Sequence, residues 1–178
     1  MTRYIAFLRA INVGGHNVKM DHLRELFETF GLTHIETFIA SGNIIFDAKA
    51  GNVKNLEKNI ENKLQGALGY EVSTFIRTDT ELAEISKHKP FPQTQLDTAM
   101  ALNIGFLADE PDDAVKQKLM ELRTDIDDFH VHKREIYWLC KKKQSDSKIS
   151  NTVIEKNLGL KTTLRGMNTV NKMAEKYT

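Results

Sequence analysis

The 178-residue chain contains one cysteine, three prolines and one tryptophan, and it has no long hydrophobic run. A single cysteine, Cys140, excludes an internal disulfide and predicts a reducing compartment. Without an apolar stretch of about 20 residues, the sequence predicts no membrane-spanning helix. The first apolar run, residues 4–8, is closed by Arg9 and is too short for a signal peptide. Together these features predict a cytoplasmic protein with no membrane partner.

Neither sign of charge is in large excess. The chain has 25 Lys and Arg against 24 Asp and Glu, so its net charge of +1 predicts neither an acidic nor a basic partner. The distribution is less even: residues 109–128 are rich in acids, whereas residues 141–178 are rich in lysine. This pattern predicts a polarised surface, and two solvated faces of different charge explain it without a charged partner.

Apolar periodicity predicts one order of elements twice. The first half has a strand at residues 4–8, a helix at 20–30, a hairpin at 34–46, a helix at 53–68 and a strand at 72–77. The second has a strand at 99–107, a helix opening at 109–113 with proline in its first turn, a hairpin from 129–132 and 136–141, a helix ending at Gly159 and a strand at 161–164. A trailing helix follows each half, from Thr78 and at 166–177, and the polar residues 93–98 are the best linker candidate.

The ends of the two halves match in detail. Thr74-Phe75-Ile76-Arg77 and Thr162-Thr163-Leu164-Arg165 are followed by apolar residues at the same spacing. This internal duplication predicts an α/β fold, α+β in the stricter sense, made of two ferredoxin-like β-α-β-β-α-β halves. We expect the halves, residues 1–92 and 98–178, to pack into one compact unit with a cleft between them.

Four motifs stand in order along the chain. They are Arg9-Ala10-Ile11-Asn12-Val13-Gly14-Gly15, Ser41-Gly42-Asn43-Ile44-Ile45-Phe46, Ser147-Lys148, and Thr163-Leu164-Arg165-Gly166-Met167-Asn168-Thr169-Val170. Together they resemble a bacterial family called domain of unknown function 1697. The resemblance spans essentially the whole chain, although Gly166-Met167 replaces the Asn-Trp pair usual in that family. It implies a duplicated α/β fold and no particular reaction.

The loop after the first strand is the first candidate binding site. Asn12, Gly14 and Gly15 offer backbone N–H groups just before a helix, an arrangement that can cradle an anion. The spacing matches neither a P-loop nor the G-x-G-x-x-G fingerprint. The alternative is that the glycines serve only a strand-to-helix loop whose backbone needs positive φ.

Other polar residues are predicted to join this loop. Ser41 and Asn43 flank a hairpin turn at the same end of the sheet, and ordinary turn chemistry is the alternative. Arg9 and Arg165 could clamp a phosphate or carboxylate, with Asn168 one turn on, whereas structural ion pairs would explain them equally well. Arg77 is equivalent to Arg165, so part of this pattern belongs to the fold.

Two further motifs indicate a functional role less strongly. Lys148 follows Ser147, but adjacent residues on a helix do not face each other, so Lys148 is better read as an anion contact than as part of a Ser-Lys pair. His130 and His132, with Asp128, have metal-ligand spacing, yet no Cys or third His is near in sequence and a solvated strand face is favoured. We therefore predict neither a metal nor a cofactor.

The sequence supports three functional hypotheses. The first is binding of a small anionic, perhaps nucleotide-like, ligand near the cleft between the halves, with any catalysis undetermined. The second is a nucleic-acid-binding module that uses the basic C-terminal third, although the aromatic RNA-binding pattern of such sheets is absent. The third is a structural or interaction protein whose motifs only stabilise the fold. The oligomeric state is not determined.

Overall fold

Two four-stranded antiparallel sheets with their helices make up the fold. The computed structural model describes residues 1–11, 15, 17–39 and 41–178. The elements are β1 (Thr2–Leu8), α1 (Met20–Thr29), β2 (Thr33–Thr37), β3 (Asn43–Ala48), α2 (Val53–Leu68), β4 (Thr74–Thr78), α3 (Asp79–Lys87), α4 (Gln93–Thr98), β5 (Ala101–Phe106), α5 (Asp113–Glu121), β6 (Asp127–His132), β7 (Glu135–Cys140), a 3₁₀ turn (Gln144–Asp146), α6 (Asn151–Leu158), β8 (Thr163–Gly166) and α7 (Met167–Tyr177).

The predicted duplication is confirmed by the strand order. The first sheet runs β2-β3-β1-β4 and the second β6-β7-β5-β8, so equivalent strands hold equivalent places. The register repeats as well: Ile5 lies opposite Arg77, and Ile104 lies opposite Arg165. Each half is therefore the ferredoxin-like β-α-β-β-α-β arrangement that the sequence predicts.

Each sheet has its own hydrophobic core beneath its helices. In the first, Leu23 and Phe27 of α1 pack with Phe46 of β3. In the second, Leu119 of α5 packs with Trp138 of β7. Burying such side chains contributes about 1.5–3 kcal/mol each, so these clusters stabilise the two sheets separately. No helix of the described residues is long and apolar enough to cross a membrane.

The structure divides into two units at Ala83, within α3. The first unit is Met1–Ala83 with Tyr177–Thr178, and the second is Glu84–Lys176. The last turn of α3 belongs to the second unit because Tyr137 donates to the carbonyl of Ile85 and Lys133 pairs with Glu84. The predicted linker, residues 93–98, forms the short helix α4, whose amides bond back to Pro92.

Two predicted elements differ in their ends. The first strand of the hairpin predicted at residues 34–46 stops at Thr37, and Ile39 beyond it is exposed with a φ of 51°, outside the extended region. Helix α5 begins at Asp113 rather than at the preceding acids. Asp112 caps it by accepting a 2.9 Å bond from Val115 N, so Pro111 precedes the cap instead of standing in the first turn.

Glutamate side chains cover the open edge of the first sheet. Strand β4 lies at this edge, where unpaired N–H groups would invite pairing with another strand. Glu57 accepts from Ile76 N at 2.8 Å, Glu61 from Thr74 N at 3.0 Å and Glu81 from Thr78 N at 2.9 Å. The edge of β4 is thus satisfied by carboxylates of the same chain.

Replacing Glu57 with alanine is expected to destabilise the first unit by about 1.5 kcal/mol, because the buried N–H of Ile76 loses its acceptor. Urea unfolding followed by circular dichroism measures the loss. Glu57→Gln retains an acceptor oxygen and should lose clearly less. Equal losses in the two variants would show that the bond to Ile76 does not stabilise the edge.

Candidate functional site

The loop between β1 and α1 borders a cleft in the first unit. Strand β1 ends at Leu8, whose N–H donates to Gly42 O at 2.8 Å, and the next N–H, that of Arg9, donates to Ser73 O at 2.9 Å. Ile11 and Val18 are buried and anchor the two sides of the loop. Of the predicted loop residues, Asn12 and Gly14 lie outside the described residues.

The cleft has a volume of about 540 Å³. It is lined by Gly15, Asn17, Val18, Lys19, His22, Ala67, Leu68 and Tyr70. One wall is the loop with the first turn of α1, and the other is the end of α2 with the residues after it. Gly15 has a φ of 86°, and no atom of the described residues lies within 4 Å of where a Cβ would stand, so positive φ accounts for glycine here.

Positive charge is concentrated on the α1 side of this cleft. Lys19 is the N-cap residue of α1 and makes no side-chain cap bond, so no cap from that residue satisfies the first-turn amides. His22 follows on the same turn, and both side chains are exposed. Asp21 is the one acidic residue of that turn and opposes the charge of Lys19.

Tyr70 gives the opposite wall an aromatic ring. Burial raises the pKa of its phenol, so the group is the neutral hydroxyl at ordinary pH. It follows Gly69, which ends α2 in the left-handed conformation with a φ of 82°. That helix end places the ring beside Leu68, so this wall is mainly apolar.

The turn at Ser41 and Asn43 lies next to the start of the loop, as the sequence predicts. A Cβ on Gly42 would stand 3.2 Å from Leu8 Cβ and 3.3 Å from Ile11 Cβ. However, the amide of Asn43 donates to Phe38 O at 2.9 Å and to Ser41 Oγ at 3.0 Å. Asn43 is also fully buried, so its geometry favours turn chemistry over ligand binding.

Arg165 and its counterpart Arg77 bond within their own strands. Arg165 is 7% exposed, and its Nη1 donates to Thr163 Oγ1 at 2.7 Å and to Leu164 O at 2.9 Å. Burial lowers the pKa of Arg165 to about 10. Arg77 is fully buried and makes the same 2.9 Å bond to Ile76 O. Because both halves repeat this arrangement, it favours a structural role for the two arginines.

Ser147 and Lys148 are not arranged as a nucleophile and base. The hydroxyl of Ser147 donates to both carboxylate oxygens of Asp127, at 2.8 and 2.9 Å, while Lys148 is exposed. Asp127 is 2% exposed and also accepts from Trp138 Nε1 at 2.8 Å and Thr124 Oγ1 at 2.6 Å. This network supports the hairpin β6–β7 and gives Ser147 a structural role.

Asn168 lines a separate cleft of about 430 Å³ in the second unit. Its lining residues are Leu96, Ala99, Met100, Ala101, Leu102, Asn103, Gly166, Met167 and Asn168. None of these carries a charge, so this cleft lacks the side chains that would select an anion. Asn168 therefore lies in the lining of an uncharged cleft of the second unit.

The nucleic-acid hypothesis finds little in the geometry. Lys141 borders a cleft of about 400 Å³ together with Asp125, Asp127 and Asp128, so carboxylates stand beside the basic segment. On the central strands, Phe7 and Phe106 are fully buried rather than exposed for base stacking. Lys142 and Lys143 are exposed.

The structure brings a third histidine beside His130 and His132, but the three rings are not arranged to bind a metal ion. His88, from the segment after α3, stacks on His132 with ring centroids 3.9 Å apart and planes 14° apart. A metal lies in the plane of each imidazole that binds it, so two stacked rings cannot share one ion. Across the part of the chain that the structure describes, no three His, Cys, Asp or Glu residues are placed to hold a metal.

Sequence reasoning missed Lys19, His22 and Tyr70. A basic residue just before α1 and another on its first turn were the available signal for the positive wall. Tyr70 had no comparable signal, because only the packing of α2 against the loop brings it to the cleft. His88 was missed for the same reason: 42 residues separate it from His130.

Comparisons with known proteins agree with this fold. The conserved bacterial protein SP0830 from Streptococcus pneumoniae has a similar structure, with a TM-score of 0.78, 22% sequence identity and 99% of each chain covered. At that identity the likeness shows the fold alone. No curated protein matches the sequence. The profile of the family described as protein of unknown function (DUF1697) matches residues 1–137. The chain therefore belongs to the DUF1697 family.

Proposed function

We propose that the first unit binds a small anionic ligand in the cleft between the β1–α1 loop and the end of α2. The observation that carries the proposal is the placement of Lys19 and His22 together at the start of α1, on one wall of a cleft. The proposal is one of binding, and it names no reaction.

Electrostatics favours an anion on that wall. The first turn of a helix carries about half a positive charge on its amides, and Lys19 adds a full one. The side chain of Lys19 does not cap those amides, so a phosphate or carboxylate oxygen can accept from them. Asp21 reduces the effect and makes the site moderate in strength rather than tight.

The size and opposite wall of the cleft suit a small organic ligand. A volume of about 540 Å³ falls within the range of small-molecule sites, roughly 300–1,000 Å³. Val18 and Leu68 offer apolar contact, and Tyr70 offers a ring face. A ligand with a phosphate at one end and an apolar or flat body at the other would contact both walls.

Replacing Lys19 with glutamine is expected to weaken binding of inorganic phosphate or pyrophosphate about tenfold. Loss of one charge–charge contact of about 1.4 kcal/mol corresponds to that factor. Isothermal titration at low ionic strength measures it. Asp21→Asn should act in the opposite direction and tighten binding, because it removes the negative charge of the same turn.

Lys58→Gln is the matched control, because it removes an equal charge from an exposed position on α2 outside the cleft lining. It should leave phosphate binding within twofold of the unmodified protein. Absence of binding by the unmodified protein at millimolar phosphate, or equal weakening by Lys19→Gln and Lys58→Gln, would overturn the proposal.

A further inference from the structure

Three histidines and a tyrosine hold the end of α3 to the second sheet. The His88 ring lies 3.9 Å from the ring centroid of His132, 5.8 Å from that of His130 and 5.3 Å from that of Tyr137. His130 and His132 stand on one face of β6, and Tyr137 is their buried neighbour on β7. We call these four side chains the imidazole cluster.

The imidazole cluster lacks the hydrogen bond that would favour a charged His88. Nε2 of His88 is buried, and none of the described residues forms a hydrogen bond with it. A neutral imidazole tolerates this with its unprotonated nitrogen, whereas an imidazolium must bury a second N–H donor. The face-to-face stack on His132 also brings any two positive rings together at van der Waals distance.

The charged groups around the cluster do not compensate for three imidazolium ions. Glu84 of α3 is bonded to Lys133 of the β6–β7 turn at 2.9 Å, so these two charges offset one another. Among the residues that the structure describes, Asp128 of β6 acts on His130, and Glu135 of β7 lies opposite His132 and acts on Tyr137. Full protonation therefore leaves excess positive charge within the cluster.

We propose that the imidazole cluster is a proton-operated latch. While its rings are neutral, it keeps residues 84–88 packed on β6 and β7. When they take up protons, the end of α3 is released from the sheet. The imidazole cluster responds to protons, and the segment that moves is the last turn of α3 with His88.

The direction of the pH dependence follows from the burial of the rings. Burial lowers the pKa of His88 below its ordinary 6.5, and the neighbouring His132 and His130 lower it further. Burial also lowers the pKa of His130, against a smaller opposing effect of Asp128. The released state, with ordinary pKa values, binds more protons than the closed state as pH falls through 6.5. Closure is thus complete above pH 6.5, weakens below it, and levels off below the lowered pKa values.

Hydrogen exchange at pH 7.5 and 5.5, corrected for the intrinsic exchange rates, tests the latch on the whole chain. The opening constant for amides of residues 84–88 is expected to rise, with a limiting slope of about tenfold per pH unit for each proton taken up. Amides of α6, in the same unit, should not follow. Unchanged opening of residues 84–88 between the two pH values would overturn the proposal.

His88→Phe separates charge from packing, because phenylalanine stacks on His132 and Tyr137 but cannot take up a proton. It should remove most of the pH-dependent opening. His132→Gln provides a second variant that acts from the strand side and should reduce the slope as well. His22→Gln, in the first unit, should leave it unchanged. Retention of the full slope in both cluster variants would contradict the latch.

Discussion

Replacing Asp127 with alanine is expected to lower the free energy of unfolding of the second unit by about 3 kcal/mol. The carboxylate is 2% exposed and accepts from Trp138, Ser147 and Thr124 at distances of 2.6–2.9 Å. Each buried donor left without an acceptor costs about 1–3 kcal/mol, although the two hydroxyls can turn toward other partners. The indole N–H of Trp138 cannot, so it carries most of the loss.

Trp138 also provides the measurement, because it is the chain's one tryptophan. Denaturant unfolding followed by its fluorescence reports directly on this network. Asp127→Asn keeps an acceptor for the indole and should lose about half as much stability. Asp125→Ala changes an exposed carboxylate of the same loop and should stay within about 0.5 kcal/mol of the unmodified protein. A loss of under 1 kcal/mol in Asp127→Ala would show that the network is not a stabilising one.

Replacing Gly42 with alanine is expected to cost the first unit about 2 kcal/mol. Its φ of 77° costs an L-residue about 1 kcal/mol, and the added Cβ would press on Leu8 and Ile11 at 3.2–3.3 Å. Both neighbours are buried, so the backbone or the strand end must shift, which adds a further cost of about 1 kcal/mol. Because Ile11 anchors the β1–α1 loop, the same variant should also weaken phosphate binding in the adjacent cleft.

Gly69→Ala is the matched control for this variant. Its φ of 82° is nearly the same, but no atom lies within 4 Å of the added Cβ. Thermal unfolding of both variants separates the cost of positive φ from the cost of the contacts with Leu8 and Ile11. Gly69→Ala should lose only about 1 kcal/mol. Equal losses at the two positions would mean that the contacts with Leu8 and Ile11 are relieved at no cost.

The candidate site was predictable only in part. The Gly-rich loop and its place before α1 follow from local sequence, since a buried strand, positive φ at Gly15 and a helix start are short-range features. The predicted ligand roles of Asn43 and Arg165 rested on residue type, and residue type does not reveal a partner. Their actual partners, Phe38 O and Thr163 Oγ1, depend on how the turn and strand close.

The sequence by itself determined the duplicated β-α-β-β-α-β order, because hydrophobic periodicity and turn residues act over a few positions. It also determined family membership, which rests on motifs in order. Tertiary structure decided which distant side chains meet. It placed Tyr70 opposite Lys19 and stacked His88 on His132, although 44 residues separate that pair. The physical reason is that such contacts arise from the packing of whole helices onto sheets, which no local pattern encodes.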